Sequence, residues 1–125
     1  MYIAMKTTLL VRDERWEAQL RKGCLDLAIL AVLWNRRLYG LEILRFLQDT
    51  SGLELAEGTL YPILLRLKQD ALVESTWVEA EAGHPRKYYW LTPEGRERAV
   101  AMIQTWDGFT SSISRLLVRV KENSQ

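Results

Sequence analysis

Two stretches of this 125-residue chain gather side chains suited to holding a polyanion. His84, Arg86 and Lys87 fall within four residues of one another. Arg66 sits in a segment whose apolar residues recur at helical spacing, with Thr59 and Tyr61 upstream. The planar arginine fork matches phosphate oxygens and the acceptor edge of guanine, and a clustered set of cations grips phosphates whatever the base sequence. Covalent chemistry is harder to assemble. There is no Gly-rich phosphate loop, no Ser–His–Asp set and no paired metal ligands. The single cysteine, Cys24, and the single histidine, His84, lie sixty residues apart and do not make a zinc site. Glu79 and Glu81 read as solvated acids of a turn. The expectation is a binding protein and not an enzyme, with no cofactor and no metal.

The elements that must position these residues follow from periodicity. Residues 13–35 read as a helix capped by Asp13, with Trp16, Leu20, Cys24 and Leu27 along one face. Its later turns are apolar all round, which calls for cover on more than one side, and a second subunit could supply it. A second helix spans residues 39–50, with Gly52 at its stop. A third carries Leu60, Ile63, Leu64 and Leu67 inward. Pro62 is expected in its first turn, which places the start near Gly58 or Thr59 with Thr59 as cap. Thr59, Pro62 and Arg66 then share one exposed flank, Tyr61 and Lys68 the other, and Glu57 lies beside them. Two short helices with a tight connection are helix-turn-helix organisation. Residues 73–80 and 86–91 alternate as strands around turn material at residues 81–85, so His84, Arg86 and Lys87 ride on the tip of a hairpin.

The last segment is the most regular. Thr92-Pro93-Glu94 is a helix start, and Ala99, Met102, Trp106, Phe109, Ile113, Leu116 and Val120 follow at alternating steps of three and four. A helix over residues 92–121 is longer than a small domain covers by itself, and its seam predicts a homodimer. Gly108 within it suggests a kink or a close helix approach. Trp106 is bulky for a seam. Either it packs the interface, or two copies across the dimer axis clamp a flat apolar ligand, with Cys24, Leu27 and Met102 as pocket walls.

These pieces resemble a known family. Leu20-Arg21-Lys22-Gly23, Tyr39-Gly40-Leu41-Glu42-Ile43, Glu57-Gly58-Thr59-Leu60-Tyr61-Pro62, and the run from Gly83 to Thr92 followed by Gly95-Arg96 look like the PadR family of bacterial regulators, from about Leu20 onward. The resemblance implies a homodimeric winged helix-turn-helix repressor whose third helix reads the DNA groove while the wing reaches the flanking backbone. Carried over, the DNA-facing residues are Tyr39, Thr59, Tyr61, Arg66, His84, Arg86 and Lys87. The single C-terminal helix is similar to the short-tailed branch of that family, and members respond to aromatic or drug-like molecules.

The expected architecture is therefore mainly α with a small β-hairpin. Residues 1–12 form an extension of no assigned role, 13–91 a winged helix-turn-helix, and 92–125 a dimerisation helix and tail. The expected partners are inverted-repeat double-stranded DNA, a second copy of the chain and a small planar hydrophobic effector, with no membrane. Lacking a signal-peptide pattern and any apolar run near the roughly 20 residues of a bilayer span, the chain is expected in the cytoplasm. A net charge of only +1 is unusual for a DNA binder. It is the one feature favouring the alternative, a winged-helix protein-interaction module without DNA binding.

Overall fold

The Asp13 carboxylate accepts the backbone N–H of Trp16 at 3.1 Å, and Glu14 and Glu17 place further negative charge at the positive end of the helix dipole. Helix α1 (Glu14–Val32) starts there as expected. This computed structural model describes residues 12–80 and 83–124. The expected extension over residues 1–12, Arg12 apart, lies outside them, as do Glu81 and Ala82 of the expected turn. Helix α1 carries two apolar sides, one turned inward and one outward. Leu25, Ile29 and Leu30 are buried in the core, while Trp16 and Leu20 are exposed and Cys24 and Leu27 half-buried. The expected stripe is thus the second side, away from the core.

The helix stops short of residue 35. Leu33 is its cap and Asn35 takes a left-handed φ of 57°, which asparagine tolerates better than most residues. The chain then forms a strand absent from the expectation, β1 (Leu38–Tyr39). Helix α2 (Gly40–Ser51) follows and ends at Gly52, whose φ of 73° is the left-handed stop. Helix α3 (Glu57–Gln69) begins earlier than expected. Ala56 is its cap and makes no side-chain bond, so Thr59 is not the cap. Pro62 lies in the second turn, where its missing N–H costs one bond to the Gly58 carbonyl. Leu60, Ile63, Leu64 and Leu67 all face the core.

Strand β2 (Val73–Val78) stops two residues before the expected end, and β3 (Arg86–Leu91) matches the expectation. The sheet is antiparallel with order β1-β3-β2: Leu38 faces Tyr89, and Val73 faces Leu91. Two-residue β1 is too short to show alternation in sequence; only its pairing with β3 makes it a strand.

Helix α4 (Pro93–Asn123) spans 31 residues, about 46 Å at 1.5 Å per residue. Its start is tied to the turn between α3 and β2. The Thr92 hydroxyl accepts the Gly95 N–H at 2.9 Å and donates to the Ala71 carbonyl at 2.6 Å. The Thr92 N–H donates to the Leu72 carbonyl at 3.1 Å. Any Cβ on Gly95 would sit 1.9 Å from that same Leu72 oxygen. Ala99 is 1% exposed and belongs to the core of its own chain, which removes it from the expected dimer seam, and Met102 packs half-buried against that core. From Ile103 to Ser124 every residue except Thr110 is exposed. Gly108 has open space around it, so no close helix approach within this chain accounts for it.

The Gly95 contact makes a direct prediction. Gly95→Ala should destabilise the fold by about 1–3 kcal/mol or more, because a backbone carbonyl cannot swing aside. Gly23→Ala, in open space on α1, should be neutral or stabilise by up to about 1 kcal/mol. Urea unfolding of the two variants checks this, and equal midpoints would contradict it.

Candidate nucleic-acid interface

The junction of β1 and α2 is built around a glycine that must be a glycine. The Glu42 carboxylate accepts the backbone N–H of Tyr39 at 3.2 Å, satisfying one of the free donors at the helix start. At Gly40 a Cβ would lie 2.0 Å from the Tyr61 hydroxyl. The Tyr39-Gly40 pair at the junction of β1 and α2 and the Leu60-Tyr61-Pro62 run on α3 are therefore two halves of one contact: the phenol of α3 lies across the bare backbone at the head of α2. Burial, and then the nearby Glu57 carboxylate, push the Tyr61 phenol above its ordinary range. Burial, and then Tyr61, do the same to Tyr89.

The hairpin completes the site. Strand pairing sets Trp77 opposite Lys87 and Val78 opposite Arg86. The Lys87 ammonium lies 5.7 Å from the Trp77 ring centre, and the Arg86 guanidinium 4.5 Å from that of Tyr39. Tyr39 meets Tyr88 edge-to-face at 5.4 Å. Each cation is braced on an aromatic ring, which restrains a long side chain while leaving its N–H groups free to donate. Tyr39, Tyr61, Trp77, Arg86 and Lys87 border one cleft of about 400 Å³ between the head of α2, helix α3 and the wing.

Four of the seven expected DNA-facing residues meet in this cleft: Tyr39, Tyr61, Arg86 and Lys87. The other three do not. His84 is exposed in the turn, just before β3. Thr59 is exposed on the side of α3 that faces α1, where it borders a separate hollow with Gln19 and Lys22. Arg66 reaches back to α1 and pairs with Asp26 at 2.6 Å. Both side chains of that pair stay substantially exposed, so it is worth only about 0–1 kcal/mol and can be exchanged for another partner. Lys68 is occupied by Ser75 at 2.8 Å and links α3 to β2. Trp77, 65% exposed one residue before the tip end of β2, is absent from the expected set. Its strand register opposite Lys87 is the signal that could have found it.

A second concavity lies away from this face. Cys24, Leu27, Met102 and Trp106, the four residues expected to wall a ligand pocket, border one apolar groove of about 390 Å³ between α1 and α4, with Leu20 and Phe109. Trp106 is 45% exposed along it. Among the described residues no helix is long and apolar enough to cross a membrane.

Comparison with known proteins agrees with this arrangement. The family model for PadR-like transcriptional regulators matches residues 29–101. Several solved structures are similar over most of the chain. A PadR-like transcription factor from Bacteroides fragilis is 35% identical with a TM-score of 0.69, covering 82% of this chain and 98% of its own. A PadR-like regulator from Bacillus cereus is 32% identical with a TM-score of 0.71, covering 80% and 97%. A PadR family regulator from Eggerthella lenta is 28% identical with a TM-score of 0.78, covering 93% and 97%.

The two raised phenols set a pH dependence. A tyrosine whose folded pKa exceeds its unfolded value of about 10 stabilises the fold fully below that pH and loses the contribution as pH climbs past it. Urea midpoints should therefore hold up to pH 9 and fall by pH 10.5. Tyr61→Phe should reduce that fall, and an equal fall in parent and variant would remove Tyr61 from the account.

Proposed function

This chain belongs to the PadR-like family of transcriptional regulators, and on that premise we propose that it is a homodimeric repressor acting in the cytoplasm, one that grips an inverted-repeat operator and lets go when a flat apolar molecule enters the groove beside Trp106. The observation that carries the DNA reading is the cleft in which Arg86 and Lys87 are braced on aromatic rings beside Tyr61 of α3. The exposed face of α3 goes to base edges in the major groove, and the wing cations go to the flanking phosphates. His84 extends the wing contact. Arg66 exchanges Asp26 for a phosphate or a guanine edge, and Thr59 lies at the N-terminal end of the reading helix.

The dimer reading is supported by α4. Trp106, Phe109, Ile113, Leu116 and Val120 are all exposed along one seam, with Ile103 and Leu117 widening it. An apolar stripe of that length needs a partner, and a second copy of the same helix is complementary to it. In such a dimer the groove between α1 and α4 borders the interface. A ligand there can release DNA only if it favours an arrangement in which the two reading helices no longer match the half-site spacing.

The DNA reading is tested by mobility shift on the DNA upstream of the chain's own gene. Half-sites should lie about 34–36 Å apart or a multiple of that. Removing both Arg86 and Lys87 should weaken binding to every sequence and flatten its salt dependence. Unchanged affinity and slope would move the phosphate contacts elsewhere, and no binding at all would favour a protein-interaction role.

The dimer and effector readings share a second test. Leu116→Asp should shift sedimentation toward monomer, since it leaves a charge unpaired in the seam. Planar aromatic compounds should quench tryptophan fluorescence and weaken operator binding roughly 5- to 150-fold, for a coupling of about 1–3 kcal/mol. Trp106→Ala should remove both effects. Equal quenching of parent and variant would make Trp106 a packing residue only.

A further inference from the structure

A second cluster of arginines lies at the other end of the sheet from the wing tip. Arg36 and Arg37 stand in the loop before β1, and Arg96 in the second turn of α4. The three border one concave pocket of about 290 Å³, floored by Leu33 and Leu91. Each guanidinium lies over an aromatic ring: Arg37 at 3.9 Å from the centre of Trp90, Arg96 at 4.3 Å from Trp34, and Arg36 at 4.4 Å from Phe46. Stacking occupies the flat face of a guanidinium and leaves its N–H edge free. Arg96 spends one donor on the Asn35 side-chain oxygen at 2.6 Å.

Among the described residues no carboxylate borders this pocket. Among the described residues the ion pairs are Arg12–Glu17, Arg66–Asp26 and Lys68–Glu74, and none involves these three arginines. In a chain with nearly as many acids as bases, three ring-stacked arginines bordering one hollow with no acid in its lining form a concentrated positive site. Its volume suits a small molecule and its donors suit oxyanions, which arginine grips two oxygens at a time. Trp90 lies four residues along β3 from Arg86, about 13 Å at strand spacing, so the pocket is separate from the wing cleft.

We propose that this pocket binds a small, multiply charged oxyanion, a phosphate-bearing or polycarboxylate metabolite, bridging Arg36 and Arg37 of the pre-β1 loop to Arg96 of α4. Such a bridge ties the loop that leads into Tyr39 and Gly40 to the helix that leaves the domain. The binding stands independently of the DNA and effector readings.

Calorimetric titration of the whole chain with pyrophosphate and, separately, with citrate tests it, at constant ionic strength set with sodium chloride. One saturable site per chain is expected for at least one anion, and which one binds identifies the phosphate or carboxylate source. Affinity should fall at least tenfold in the Arg36→Gln, Arg37→Gln double variant. Arg96→Lys keeps the charge but not the fork and should also weaken binding, which guards against misfolding of the double variant. Absence of saturable binding by either anion, or equal binding by parent and variants, overturns the proposal. So does a variant that loses affinity only for duplex DNA, because the arginines would then extend the DNA surface.

Discussion

The direction in which α4 leaves the domain is fixed at one backbone oxygen. The Leu72 carbonyl accepts the Thr92 N–H and lies where a side chain on Gly95 would have to go. The adjacent Ala71 carbonyl takes the Thr92 hydroxyl. These contacts join the end of α3, the start of β2 and the first turn of α4 into one rigid corner. Helix α3 and the helix with the exposed seam are therefore tied to each other at that point. In the proposed dimer, a change in how two copies of α4 meet would be passed to α3 through this corner, which is what control at a distance in the proposed repressor requires.

The charge distribution is the second organising feature. A net charge of +1 suggests a surface without strong preference, yet the basic residues are sorted. Arg86 and Lys87 border the wing cleft, Arg36, Arg37 and Arg96 border the rear pocket, and all five lie over aromatic rings. Exposed cation–π contacts contribute only about 0.5–1 kcal/mol each. Their effect is orientation: a braced cation loses less entropy when it engages an anion. The chain braces a few cations at two places, and its acids, Glu42 and Glu57 beside the wing cleft among them, hold the total near neutrality.

Much of this was legible in sequence. The caps Asp13 and Thr92, the stop at Gly52, the inward stripe of α3 and the bounds of β3 each depend on a few neighbouring residues, and local chemistry settles them. The motifs carrying the family resemblance were legible too, and they named Tyr39, Tyr61, Arg86 and Lys87, which do meet in one cleft. The groove residues Cys24, Leu27, Met102 and Trp106 also came together, because they lie on the facing apolar stripes of α1 and α4, with Met102 reaching the edge of the core.

What the sequence alone left open depends on contacts between distant residues. β1 is a strand only because β3 lies beside it. Helix α3 starts before Thr59 because the Ala56 carbonyl takes the Thr59 and Leu60 N–H groups, and the one bond missing at Pro62 does not end it. Gly40 and Gly95 read as ordinary glycines until Tyr61 and the Leu72 carbonyl are placed against them. Ala99 fits a seam by spacing yet is consumed by the core, since periodicity marks an apolar face without saying which neighbour covers it. Arg66 turns to Asp26 across forty residues of sequence, and the three arginines of the rear pocket converge across sixty. Periodicity and caps act within a turn or two of chain, so the sequence by itself determined the four helices, the two hairpin strands and their apolar faces. Side-chain partnership depends on how those elements pack, and only the tertiary structure decided which cations share a pocket.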